Sequence, residues 1–214
     1  MNPHLTEGDL QRLRKGVDDL IAAKGTSNYA AANMKARIEY DRDTLELSVT
    51  IPGTGDWKDI MADFKMFGGP EEQGVGVHSG IRHCVDLIEP ELYHALRQLN
   101  VDSRARIHLK GHSLGAGVAQ LLVARSPWFR DSLTTVDLFA CPRVFRAGGD
   151  GLFARVRARV LRVSLSGDTI TRMPPALVGF SHVGVEYVIP KGADLREDRS
   201  LEAYKRHLAV LQPS

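Results

Sequence analysis

Residues Gly111-His112-Ser113-Leu114-Gly115-Ala116-Gly117 decide how the rest of the chain is read. Before them, Arg104-Ala105-Arg106-Ile107-His108-Leu109-Lys110 alternates polar and apolar side chains and predicts a strand. After them, Val118-Ala119-Gln120-Leu121-Leu122-Val123-Ala124-Arg125 reads as a helix. A Gly-x-Ser-x-Gly between strand and helix is the form of a sharp turn that pushes a serine hydroxyl forward. Glycines two positions either side leave room for the neighbouring backbones. Such a turn also aims the first amides of the helix at the space above Ser113, where an oxyanion would form. The plainer reading is a glycine-rich strand-to-helix turn without chemistry.

Working outward, Thr6-Glu7-Gly8-Asp9 has the form of a helix start, and Leu10, Leu13, Val17, Leu20 and Ile21 recur at helical spacing up to Gly25. Ala36–Tyr40 and Thr44–Ile51 alternate with period two, and Asp41-Arg42-Asp43 joins them as a hairpin. Asp56 can cap a helix with an apolar face of Trp57, Ile60, Met61, Phe64 and Phe67. That helix reads as packed on the core, with a mobile lid as the alternative. Glu71-Glu72-Gln73-Gly74 reads as an exposed loop, and Val75–His78 as a short extended segment. A helix follows from Ser79, kinked or restarted at Pro90. Strands are expected at Thr134–Ala140, Val160–Leu165 and Gly184–Ile189, and a last helix from about Arg199 to Leu211. A hairpin leading into alternating strands and helices implies an α/β fold with a mostly parallel central sheet flanked by helices, in one domain over 1–214. In such a sheet functional loops lie at the carboxyl ends of strands, and Thr54, Ser113, Cys141 and Asp168 all fall just past them.

Composition narrows the classes. With 43% hydrophobic and 25% charged residues and a formal net charge of +2, the chain is an ordinary globular protein without the charge of a nucleic-acid binder. Arginines crowd between Arg143 and Arg162; they read as charge on solvated faces, with an anionic membrane or substrate as the alternative. Cys84 and Cys141 fall in apolar contexts typical of buried thiols. The start of the chain lacks the apolar core of a signal peptide, which points to a cytoplasmic location or export by a signal-independent route.

A serine hydroxyl needs a base to take its proton, and the base needs an orienting carboxylate. In hydrolases with this turn the chain order is serine, acid, histidine. Asp168 fits the acid, because it follows Ser113 and ends a strand after Gly167; an ordinary turn aspartate is the alternative. Asp150, in a Gly-Gly-Asp-Gly loop with no strand before it, is a weaker rival. Of the histidines, His182 and His207 come after Asp168.

Taken together, the chain resembles the class 3 (fungal-type) triacylglycerol lipases of the α/β-hydrolase fold. The resemblance runs from about Leu47 to the end of the chain. It rests on Gly53-Thr54, Val77-His78-Ser79-Gly80, Gly111 to Gly117, Cys141-Pro142-Arg143-Val144, Asp168 to Pro175 and His182-Val183-Gly184. It implies Ser113 as nucleophile, Asp168 as triad acid, Thr54 and the Leu114 amide as oxyanion donors, and a structural role for His182. It also implies hydrolysis of carboxylic esters, often of glycerolipids, with neither metal nor organic cofactor. A small acyl ester or lipid substrate is the expected partner, with transient membrane-surface contact and no nucleic acid.

Three positions depart from the family pattern. Pro52 stands where an arginine precedes the oxyanion glycine, and the segment from Trp57 to His78 is short for an elaborate lid. In Asp198-Arg199-Ser200-Leu201-Glu202-Ala203-Tyr204, Arg199 occupies the place of the histidine that opens the last helix. A guanidinium stays protonated and cannot take the serine proton. His207, eight residues on and sharing a helix face with Ser200 and Tyr204, is the remaining candidate base. The alternative is a catalytically impaired relative that binds acyl ligands or a partner.

Overall fold

The structure, a computed structural model, describes residues 2–25, 29–31, 34–53, 71–156, 159–190 and 200–213. The first helix, α1 (Glu7–Gly25), opens on a reciprocal cap in which Asp9 N–H donates to Thr6 Oγ1 at 3.1 Å and Thr6 N–H to Asp9 Oδ2 at 3.0 Å. Three antiparallel strands follow, β1 (Tyr29–Ala31), β2 (Met34–Asp41) and β3 (Glu46–Ile51). From β3 onward the sheet is parallel, through β6 (Arg106–His112), β7 (Leu133–Phe139), β9 (Val160–Leu165) and β11 (Val185–Ile189). The seven strands lie in the order β1-β2-β3-β6-β7-β9-β11. The mostly parallel sheet behind an N-terminal helix and hairpin is the expected architecture.

Period-two alternation divides the sheet's two faces. Leu47, Val49 and Ile51 of β3, Ile107 and Leu109 of β6, and Val136 and Leu138 of β7 share one core with α2 (Ser79–Gln98) and α3 (Leu114–Arg125). The opposite face carries α1 and the last helix, α6 (Leu201–Val210), packed on Phe139, Leu161, Val163 and Ile189. Beneath α1 the strands present polar residues, and the helix answers them with ion pairs. Arg12 Nε sits 3.1 Å from Asp137 Oδ2, and Lys110 pairs with Asp19. Burial pushes the Asp137 carboxyl up despite Arg12.

Several elements differ from the sequence reading. Glu71–Gly74 is a hairpin rather than a loop: β4 (Glu71–Glu72) pairs with β5 (Val75–Gly76) across Gln73 and Gly74, whose φ of 50° and 79° are those of a tight primed turn. Val77 then bridges to Phe145 in β8 (Phe145–Arg146), which pairs with β10 (Phe180–Ser181). β5 and Val77 fall in the expected extended segment, whereas β4, β8 and β10 belong to no long periodic run, so the pattern gives them no signal. Helix α2 runs unbroken through Pro90, which lies on the exposed side while Ile88 and Leu92 keep the apolar face in phase. The short helices α4 (Pro127–Asp131) and α5 (Gly149–Leu152) went unread.

Arg155 and Arg159 are exposed, as expected of charge on a solvated face, but part of the arginine cluster departs from it. Arg162 is 6% exposed, donates to the Val183 carbonyl at 3.0 Å and pairs with Glu186 at 3.3 Å. Arg159 donates to the Leu133 carbonyl, and Arg143 to those of Arg172 and Pro174. Carbonyls left over at strand ends and turns need donors once buried, and guanidinium groups supply them. Both cysteines are buried, as expected, and burial pushes their thiols up, to about 11 for Cys84 and about 12 for Cys141.

Candidate active site

Strand β6 continues to His112, and α3 begins at Leu114, so the whole change of direction falls on Ser113. Its φ of 55° and ψ of −125° are strained for a residue with a side chain. The conformation is held from both sides. Ser113 N–H donates to the Phe139 carbonyl at 2.9 Å, and the Ser113 carbonyl accepts from Ala116 and Gly117 at 3.0 and 3.3 Å.

The glycines of the motif are required by close approach. A Cβ on Gly115 would lie 2.3 Å from the Ile51 carbonyl oxygen and 2.8 Å from the Gly53 nitrogen, both backbone atoms at the end of β3. Gly53 has φ +78°, and a Cβ there would meet the His112 carbonyl oxygen at 2.5 Å. The turn after β3 is therefore pressed against the serine turn. Thr54, the expected donor that follows Gly53, lies outside the described residues, as do the 57–67 segment and Arg199. The second expected donor is in view: the Leu114 amide donates to no acceptor among the described residues. No acidic side chain occupies the first turn of α3 to offset its dipole. An amide in that position can accept negative charge from a ligand.

Asp168 follows β9 through a turn in which Gly167 has φ 91°. Its Oδ1 accepts from Ile170 N–H at 2.9 Å, its N–H donates to the Leu165 carbonyl at 3.0 Å, and its carbonyl accepts from Thr171 Oγ1 at 2.8 Å. The loop beyond is clamped by Arg143, whose N–H donates to the Met173 carbonyl at 2.7 Å and whose guanidinium reaches the carbonyls of Arg172 and Pro174. His182 Nε2 adds a bond to the Thr171 carbonyl at 2.6 Å. Arg143, Ser164, Asp168, Arg172, His182 and Glu186 line a polar cavity of about 270 Å³ there. Burial, with the charge of Arg162, lowers the His182 imidazole to about 4.

Tyr204 joins the two halves of the site. Its ring meets His112 edge-on at 6.2 Å and Phe139 at 5.5 Å, and its hydroxyl accepts from Leu165 N–H at 3.3 Å. Burial, then the charge of Asp168, pushes the phenol pKa well up. The spacing of Leu201, Tyr204 and Leu208 marks the buried face of α6, but not which strands it covers.

The structure describes all eight histidines, and none donates to or accepts from the Ser113 hydroxyl. His78 caps α2, its Nδ1 accepting from Gly80 and Ile81 N–H, and burial lowers it to about 4. His108 Nδ1 pairs with Thr135 Oγ1 at 2.9 Å. His207 is half-buried on α6, three residues and about 4.5 Å of helix axis beyond Tyr204. No described hydrogen bond, ion pair or ring contact joins it to Ser113 or Asp168.

Residues 48–178 match the model of a protein family described as lipase (class 3). Among curated proteins, phospholipase A1-IIdelta of Arabidopsis thaliana is 34% identical over 95 residues, covering 41% of this chain and 22% of that protein. Phospholipase A1-II 4 of Oryza sativa subsp. japonica is 39% identical over 93 residues, 40% of this chain and again 22% of the relative. The matched stretch thus spans about a fifth of either relative. Among solved structures, lipase II from Rhizopus niveus superposes with a TM-score of 0.71 at 17% identity, covering 88% of this chain and 83% of that one. At that identity the likeness shows the α/β-hydrolase fold.

Proposed function

We propose that this chain, which belongs to the class 3 lipase family, hydrolyses carboxylic esters of acylglycerols or phospholipids through an acyl-enzyme on Ser113. The observation that carries the reading is the strained Ser113 at φ 55° beside the uncommitted Leu114 amide. Strain of this kind persists where the surrounding structure enforces it, and here it sets the buried Ser113 beside an amide that can accept negative charge.

In this scheme Ser113 Oγ attacks the ester carbonyl carbon as a base removes its proton. The carbonyl oxygen becomes an oxyanion held by the Leu114 amide and by Thr54. The tetrahedral intermediate then expels the alcohol, which takes the proton from the base. Water, deprotonated by the same base, hydrolyses the acyl-serine and releases the acid. Asp168 stabilises the base once it is charged. For the base we propose His207. Of the two histidines after Asp168, His182 has Nε2 committed to Thr171, whereas His207 has no hydrogen bond among the described residues. It rides on the helix that Tyr204 docks against the strand leading to Asp168.

The curated relatives carry the name phospholipase A1 and the solved neighbour the name lipase, which supports both glycerolipid classes as substrates. Transient contact with a lipid surface, where such esters are presented, belongs to the same reading. The test is turnover of nitrophenyl esters of increasing chain length by the wild type, Ser113→Ala, His207→Ala and Arg199→His. Wild-type turnover that falls to background in Ser113→Ala supports the reading, and equal rates in the two refute it. Full activity in His207→Ala removes that residue as base.

A second reading is favoured by the absence of a histidine at the Ser113 hydroxyl among the described residues. In it the chain is an impaired relative that holds acyl ligands without cleaving them. Saturable fatty-acid binding with no turnover, and a large gain of turnover in Arg199→His, would establish it.

A further inference from the structure

The loop that leaves Asp168 carries an apolar tip for which the fold has no use. Leu177 is 100% exposed, while Leu87 and Val210, the other exposed large apolar side chains among the described residues, are 38% and 73%. Single exposed leucines are common on soluble proteins, so exposure alone decides nothing. The setting adds to it. Leu177 stands on one turn of 3₁₀ helix, Ala176–Val178, with Pro175 and Ala176 also exposed.

Two amides are paired within the turn: Val178 N–H donates to the Pro175 carbonyl at 3.2 Å and Gly179 N–H to the Ala176 carbonyl at 2.9 Å. Its base is fixed on both sides. Arg143 holds the carbonyls before it, and Ala147 N–H donates to the Gly179 carbonyl at 3.1 Å after it. The two segments that meet at this base, 143–147 and 172–181, contain Arg143, Arg146 and Arg172 and no carboxylate. Arg146 lies over the Phe180 ring, 5.3 Å from its centroid, and Arg172 is exposed.

From these observations we infer that the Pro175–Val178 turn is a docking prong for an anionic lipid surface, with Leu177 entering the acyl region and the arginines at its base meeting the headgroups. The assignment rests on the reading of the chain as a hydrolase of lipid esters. Apolar tip and cationic base together select a bilayer of negative charge over a neutral one.

The test is co-sedimentation of the full chain with phosphatidylcholine vesicles containing or lacking phosphatidylserine, for the wild type, Leu177→Asp, Leu177→Trp and Arg172→Gln. Turnover of a short soluble nitrophenyl ester is measured in parallel. Binding is expected to rise with phosphatidylserine and to fall about tenfold or more in Leu177→Asp. It should fall severalfold in Arg172→Gln, and hold or strengthen in Leu177→Trp. Soluble-ester turnover should stay constant in the Leu177 variants, which also shows that they fold.

Wild-type binding that Leu177→Asp leaves intact overturns the inference. So does a lack of binding to any vesicle, or self-association without vesicles that Leu177→Asp abolishes, since that would make a second copy the occupant. Vesicle binding through Leu177 with no Ser113-dependent turnover would sink the hydrolase reading and leave the prong standing.

Discussion

Substituting Gly115 by alanine tests the central geometry most directly. The added Cβ would lie 2.3 Å from the Ile51 carbonyl oxygen and 2.8 Å from the Gly53 nitrogen. Both are backbone atoms at the end of a sheet strand, so neither can swing aside as a side chain would. Restoring ordinary contact needs a separation of about 1 Å between the serine turn and the turn after β3. Overpacking of that kind costs roughly 1–3 kcal/mol. For a chain of this size it appears as a fall in Tm of roughly 2–12 °C. The catalytic loss should be larger, because the same displacement parts the Leu114 amide from the Gly53 turn, the two elements proposed to frame the oxyanion. A misplacement of about 1 Å is worth about 10²-fold, similar to loss of one oxyanion donor. Differential scanning calorimetry and kcat on a soluble nitrophenyl ester read the two effects. Gly151→Ala is the control, since its Cβ meets nothing within 4 Å. A Gly115→Ala protein with wild-type Tm and kcat within twofold of wild type would refute the reasoning.

Three further outcomes follow from the same geometry. Ser113→Gly should abolish turnover yet raise stability by about 1 kcal/mol in urea melts, because glycine adopts φ 55° without strain. His78 and His182 are held near pKa 4 by burial, below their ordinary 6.5, so the unfolded chain binds more protons between those values. Their contribution is complete above pH 6.5 and is lost as pH falls toward 4. By pH 5 the urea midpoint should reflect about 2 kcal/mol lost per histidine, and His78→Asn, which keeps the helix cap, should flatten the slope. Arg125→Met removes the partner of Glu72, Asp86 and Glu89, at 3.1, 2.7 and 3.0 Å. It should cost about 3 kcal/mol and speed hydrogen exchange in the β4–β5 hairpin that Glu72 ties down, and unchanged exchange would refute that role.

Much of the site is legible in the sequence because it is built from local backbone rules. Gly111 to Gly117 announces its turn locally, as glycines flanking a serine between strand and helix, although the fold then holds that turn through Phe139, Ile51 and Gly53. Asp168 is legible for a related reason, since a strand of period two ending in Ser166-Gly167 puts the next residue at the sheet's carboxyl edge. The histidines were ambiguous because their roles depend on what the fold brings beside them. Nothing near His78 in sequence says that its ring caps α2, or that His182 anchors the Asp168 loop.

The arginines between Arg143 and Arg162 show the same division. Sequence registers them as a run of charge, and the tertiary structure turns several into donors for carbonyls that folding strips of water. The sequence by itself determined the alternation of strands and helices, the glycine pattern of the serine turn and the candidate acid at a strand's end, because each is written in neighbours a few residues away. Only the tertiary structure decided that Tyr204 joins β6 to β9, that Arg162 is buried and that Leu177 faces out. Those contacts span up to 92 positions, as between His112 and Tyr204, and are set by how the layers pack rather than by any local pattern.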